Sequence, residues 1–322
     1  MLYNIPYKTK QFFFVLIKLS IVVGAFYFIY SKLTENGQLQ LSDFIAFLKE
    51  NKTFSTKNII FLVILSGFNW LFEILKWKTL VKTIKPISFK EALEQSLGGL
   101  TASLITPNRI GDYGAKVAYF TKTYRKRVLL LNLLGNISQM TITTIFGVVG
   151  LVIFINRYQL EVDYYRVVRF GALILLMSVF AIFGVKHKRF NFRGYSVNQI
   201  IDYIKNITLK VHVSNIILSL LRYLIFSFQF YYLLTIFEVN LSYYDDMVVI
   251  TSMYLLASII PTISIFDVVI KGSVAVFLFT HIGVDELTIL CIVLIMWILN
   301  FAIPSVLGSY FVLNFKLPKT KA

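Results

Sequence analysis

A chain of 322 residues with 57% hydrophobic and 15% charged residues and a mean hydropathy of +0.73 is too apolar for a soluble globule. Its apolar runs are long enough to cross a bilayer. The net charge of +16 would suggest nucleic acid in a soluble protein, but here basic cytoplasmic loops and anionic headgroups account for it, and no nucleic-acid motif is present. The lone cysteine, Cys291, excludes an internal disulfide, and His187, His212 and His281 lack metal-ligand spacing.

In chain order, residues 11–31 form the first apolar run. It is near full spanning length and no small-x-small cleavage site follows, so it reads as a retained helix rather than a signal peptide. Lys18 inside it snorkels or faces the bundle. Residues 39–50 alternate apolar and polar at helical spacing, as a surface amphipathic helix does. Residues 57–81 are the second span, with Asn69, Trp70 and Glu73 in its polar half and Trp77, Lys76, Lys78 and Lys82 at an interface. Residues 89–105 are helical but short and polar, with Glu94 and Gln95. Gly98, Gly99, Ala102 and Ser103 there let another helix approach closely.

That helix runs into Thr106-Pro107-Asn108. Proline removes a backbone donor and disfavours helix at the residue before it. The chain is therefore expected to break at Pro107 and restart through 110–121, with Asn108 as N-cap and Gly111 part of the break. Asp112 and Lys116 then share one helix face. Residues 128–155 are the third span, and Asn132, Asn136 and Gln139 line one stripe of it, either a packing seam or a substrate groove. Residues 167–185 are the fourth span, followed by a basic loop at 186–210 that holds a short surface helix at 196–208. The fifth span, 211–237, contains Arg222 and Gln229, and Arg222 is expected to pair with Glu73 or Glu94. An acidic corner (Glu238, Asp245, Asp246) precedes a helix at 244–260, a second break at Pro261 and a helix at 267–281. The last span, 286–313, contains Asn300 and Pro304.

The second break repeats the first: a proline after an apolar helix, an irregular run, then Asp267 and Lys271 four residues apart. Two such pairs also arise by chance in segments that merely pack. Paired broken helices in corresponding places are nonetheless the best sequence pointer to a transport site. With both termini inside, six spans and both breaks as re-entrant hairpins, the basic residues of 8–10, 76–90, 116–127, 186–210 and the tail fall inside. Lys32, Lys49, Lys52, Lys57, Arg157, Arg166 and Arg169 fall outside. The expected architecture is an all-α polytopic bundle forming one membrane domain over 1–322, with inverted repeats at 57–155 and 211–313.

Moving a charged headgroup unaided to the bilayer centre costs about 3 kcal/mol or much more. Half-helices starting near Asn108 and Ser264 would offer amides and positive dipole ends to a phosphate, and Arg109 a bidentate partner. Asp112 and Asp267 hold a cationic headgroup or pair with Lys116 and Lys271. Ser264-x-x-Asp267 also fits a capping box, which would leave Asp267 a cap alone.

The Pro107, Gly111 and Asp112 pattern at the end of a polar helix resembles the signature of the lysylphosphatidylglycerol synthase transmembrane family, a flippase-like membrane domain. The second signature departs: Pro261 matches, but Thr262 to Phe266 lacks the usual glycines and Asp267 stands where a glutamate is usual. The likeness covers about residues 10–315. It implies lipid translocation, of aminoacylated phosphatidylglycerol in the best-known members, with membrane lipids as partners and a separate lipid-modifying enzyme as a further one. The soluble aminoacyltransferase domain of bifunctional members is not expected here, nor is any cofactor. Three functions are thus open: translocation of an anionic or aminoacylated phospholipid or lipid-linked intermediate across the cytoplasmic membrane, secondary transport of a small solute or ion, and a membrane-embedded headgroup enzyme. The last lacks a close His/Asp set, so the chain is expected not to be an enzyme.

Overall fold

The computed structural model describes residues 55–104, 106, 109–159, 191–192, 195–259 and 267–316, together with Val23. Otherwise the expected helices at 11–31, 39–50 and 167–185 lie outside the described residues, as do Pro107, Asn108, Pro261 and Ser264.

The chain order is α1 (Thr56–Val81), α2 (Phe89–Leu104), α3 (Ile110–Ala118) and α4 (Lys122–Tyr158). A two-residue antiparallel ladder follows, β1 (Asn191–Phe192) with β2 (Tyr195–Ser196). Then come α5 (Val197–Lys205), α6 (Leu209–Ile236), α7 (Tyr243–Ile259), α8 (Asp267–His281) and α9 (Glu286–Trp297). A π-helical turn (Ile298–Ala302) joins α9 to α10 (Ile303–Asn314). Polar caps set several starts. Ser55 accepts from the Asn58 amide and Asp285 from the Thr288 amide. Ser88 and Glu91 form a reciprocal capping box at 2.7 and 3.1 Å. The helix expected from residue 128 starts at Lys122. The basic run Lys122–Arg127 is therefore helix, because nothing between Thr121 and Val128 breaks it.

Among the described residues four helical stretches are long and apolar enough to cross a membrane: α1, α4, α6 and the continuous α9–α10. The apolar window of α9–α10 is 72% buried, against 33% or less in the other three, so the last stretch fills the middle. Ile59, Ile60, Val63 and Ile64 of α1 and Val148, Val149 and Val152 of α4 face outward, as lipid-facing positions do. This is a helical, multi-pass membrane bundle.

Side-chain contacts give the relative directions. α1 runs antiparallel to α6, with Glu73 on Arg222 and Asn58 on Tyr232. α2 runs antiparallel to α10 through Thr101 and Ser305, where Gly308 lets α10 close on the Leu97 carbonyl. α7 packs antiparallel on α4, at Gly147 and Gly150. α3 packs on α4 as α8 packs on α9. Exchanging α1–α4 with α6–α10 therefore returns the same set of neighbours.

The π turn has a local cause. Pro304 has no N–H to give the Asn300 carbonyl, and the Ile303 amide bonds to the Ile298 carbonyl instead of that of Leu299. Two carbonyls are thus released inside a buried helix, where an unmet polar group is costly. α1 satisfies both: Ser66 Oγ donates to the Leu299 carbonyl at 2.6 Å and Trp70 Nε1 to the Asn300 carbonyl at 3.1 Å. The Asn300 side chain also accepts from Asn69 at 2.8 Å and donates to Gln229 at 2.9 Å, so α1, α6 and the π turn meet in one polar knot.

Candidate functional site: two broken helices around a buried ion-pair cluster

The first break folds α2 and α3 into an antiparallel hairpin. Thr106 bridges it: its hydroxyl reaches the Ala102 and Ser103 carbonyls and accepts from the Gly111 amide at 2.7 Å. Gly111, expected at the break itself, lies in the first turn of α3, pressed against the Ala102 carbonyl where a Cβ would collide. The N-cap position falls on Arg109 rather than Asn108. Arg109 takes a left-handed backbone (φ 56°) without a side-chain cap bond. That conformation is uncommon and costly for a residue with a Cβ. It leaves the exposed guanidinium 5.9 Å from the Phe301 ring centre.

Asp112 and Lys116 are buried and paired at 3.2 Å. Asn132 of α4 closes a triangle, donating to Asp112 and accepting from Lys116, each at 2.9 Å. Lys116 Nζ also lies 4.6 Å from the Trp77 ring centre, and Trp77 donates to Gln95 at 2.8 Å. The two charges are therefore spent largely on each other. The rest of the α4 stripe faces protein too: Asn136 donates to Tyr113 and Gln139 to the Ser219 carbonyl.

In the second half, α8 opens at Asp267, whose side chain lies outside the described residues. Lys271 Nζ stands 5.1 Å from the centre of the same Phe301 ring that Arg109 approaches. Lys271 also lines a narrow cavity of about 30 Å³ with Phe226, Tyr254, Trp297 and Phe301. The structure thus brings two sequence-selected cations, one from each half, to a phenylalanine on the π turn.

Beside them lies a cluster of which the sequence reading expected only the Arg222 pairing; Lys76 and Trp77, expected at a membrane interface, are instead buried in the bundle. Glu73 Oε2 receives Arg222 at 2.6 Å and Lys76 at 2.7 Å, and Arg222 also donates to Asn69 at 3.0 Å. Glu94 is not the partner of Arg222. The sequence signal was present: Glu73 and Lys76 are one turn apart inside an apolar helix, as an intramembrane ion pair requires. Phe301 carried no such signal. Among the described residues no three His, Cys, Asp or Glu side chains converge as metal ligands would.

No curated protein matches the chain. The family described as Lysylphosphatidylglycerol synthase TM region matches residues 15–308, which take in both helix–break–helix segments and all four long apolar stretches up to the middle of α10. This chain is accordingly a multi-pass membrane protein of the lysylphosphatidylglycerol synthase TM-region family, a family tied to lipid metabolism and translocation.

Proposed function

We propose that the protein moves an anionic or aminoacylated phospholipid, or a lipid-linked intermediate, between the leaflets of the cytoplasmic membrane, without chemistry on the headgroup. In this reading the two helix–break–helix segments are re-entrant hairpins of an inverted repeat among six spans, with both termini inside. The observation that carries it is the meeting of Arg109 and Lys271 on Phe301. Each cation comes from near the break of a different proposed hairpin, so rocking one half against the other would change access to the pair from either side. A guanidinium and an ammonium near one aromatic ring suit a phosphate held away from bulk water, where arginine offers a bidentate match.

The acyl chains need an apolar path of their own. A lateral groove of about 330 Å³ between α1, α2 and the α9–α10 stretch supplies one, lined by Val63, Leu97, Leu299, Ile303 and Leu307 with Trp70 at its floor. Its outer wall, at Val63, Ile303 and Leu307, is exposed on the bundle surface. A groove open along its side suits a tailed molecule better than a free solute. The membrane lipid itself is then the partner.

Leaflet exchange in liposomes tests this. Labelled phosphatidylglycerol, lysyl-phosphatidylglycerol, phosphatidylethanolamine and a neutral lipid are offered in turn to purified protein. Wild type is expected to accelerate one charged headgroup, and Arg109→Ala to slow it by about tenfold, the loss of one charge-assisted contact of about 1.5 kcal/mol. Exchange of every headgroup alike, or of none, counts against the reading. The second result would favour a small-solute transporter.

A further inference from the structure

Translocation as proposed leaves one buried group without a task. Lys76 is 2% exposed, and its stem lies against Gly135 of α4. Its Nζ lies 2.7 Å from the Glu73 oxygen that Arg222 already holds at 2.6 Å, and among the described residues that shared oxygen is its one close acceptor. The groups facing this region can be named element by element. α1 gives Glu73 and Trp77, and α6 gives Arg222. α3 gives Asp112 and Lys116, already paired with each other. α4 gives Asn132, engaged with that pair, and α2 gives Gln95, engaged with Trp77. Among these described side chains two carboxylates face three cations.

An uncompensated charge inside a membrane protein is expensive and is relieved in one of two ways: a counter-ion arrives or a proton leaves. Arginine keeps its proton. Lys116 has a carboxylate, an amide oxygen and a ring face to stabilise its ammonium. Among the described cations of this cluster, Lys76 is the one whose close acceptor is shared with an arginine and that has no second partner.

We propose that Lys76 is a proton-carrying group that loads together with an anionic headgroup. This deepens the translocation reading and rests on it. An anion at the Arg109–Lys271 site stabilises the Lys76 ammonium, and by linkage the ammonium strengthens anion binding by the same factor. The proton comes from water on the loading side, converts the amine to the ammonium, and returns to water when the anion departs. One proton with one negative charge moves no net charge. Exchange of a monoanionic lipid should therefore respond to a pH gradient and not to a membrane potential.

Two measurements decide it. Detergent-solubilised protein, free of added lipid, is titrated for proton release, and wild type is compared with Lys76→Arg, which stays charged, and Lys76→Met, which stays neutral. Wild type should release about one proton more than either. In proteoliposomes carrying labelled phosphatidylglycerol, a gradient of one pH unit should drive wild type to an unequal leaflet distribution of the label, up to about tenfold for full one-proton coupling. An imposed potential should not. In both variants the gradient should leave the leaflet distribution unchanged. Equal proton release from wild type and Lys76→Arg overturns the proposal, as does a gradient response that Lys76→Arg keeps. If wild type exchanges no lipid under any gradient, translocation and joint loading both fall, while an extra released proton would still mark Lys76 as a proton site. The two failures are thus distinguishable.

Discussion

Arg109 combines a costly backbone with an exposed cation. A left-handed conformation costs an L-residue about 1–2 kcal/mol, and such strain at a cap position is characteristic of functional sites. Glycine adopts that conformation without penalty. Arg109→Gly is therefore expected to match or exceed wild type in thermal unfolding while exchanging lipid no faster than Arg109→Ala. A Gly variant that is clearly less stable would mean that the guanidinium holds the break together. The Glu73–Arg222 pair is expected to behave differently. Removing either partner leaves a buried charge unmet, at about 3–5 kcal/mol. Glu73→Gln and Arg222→Gln should each destabilise strongly, and the double variant should lose much less than the sum. Additive losses in unfolding measurements would show that the 2.6 Å contact carries no coupling.

At the scale of the element, α7 offers a pH prediction. Asp246 sits in its first turn, outside the four long stretches, 1% exposed and with Oδ1 lacking a partner. Burial, and then the neighbouring Asp245, push its carboxyl up to about 7 from 3.8. A carboxyl raised by folding stabilises the fold in its protonated form. That contribution is complete below about 3.8 and is lost as pH climbs through about 7. Asp246→Asn, neutral throughout, should flatten the fall in thermal stability between those values and be the more stable protein at pH 8. An unchanged pH profile would show that Asp246 already finds a partner for its charge.

Element limits were legible wherever an apolar run met a polar cap: residues 57–81 were expected and Thr56–Val81 is found. The start of α4 was not legible, because Lys122–Arg127 announces a membrane boundary and says nothing about where hydrogen bonding begins. Spacing put Asp112 and Lys116 on one face and left open whether Asp112 meets a headgroup or Lys116; the structure pairs the two. The site was only half legible for a related reason. Spacing reports neighbours on one helix, whereas the polar knot at Asn300 and the convergence on Phe301 join residues far apart in sequence. The only local trace of the knot is Pro304, four residues after Asn300 and unable to bond back to it.

For the whole molecule, the exchange of neighbours between α1–α4 and α6–α10 bears most on function. The α1–α6 contact stays in place under that exchange, and it holds the Glu73–Arg222 pair and the Asn69–Arg222 bond. Movement of one half against the other would turn about this contact. Arg109 and Lys271, the cations proposed for substrate, stand beside this contact on α3 and α8. Under the proposed translocation, a charged pivot would keep the costly buried charges fixed while these two cations move.

The burial of α9–α10 has one more consequence, and it concerns biogenesis. The helix that occupies the middle is synthesised after the other described helices. Until the ribosome has made it, the amide of Asn69 and the indole of Trp70 have no Asn300 to meet, and α2 has no Ser305 or Gly308 to close upon. Before then the polar groups of α1 and α2 that meet α9–α10 in the finished fold lack those partners. Insertion of α9–α10 is then the step that completes the bundle, so cellular quality control has a late and specific moment at which to act.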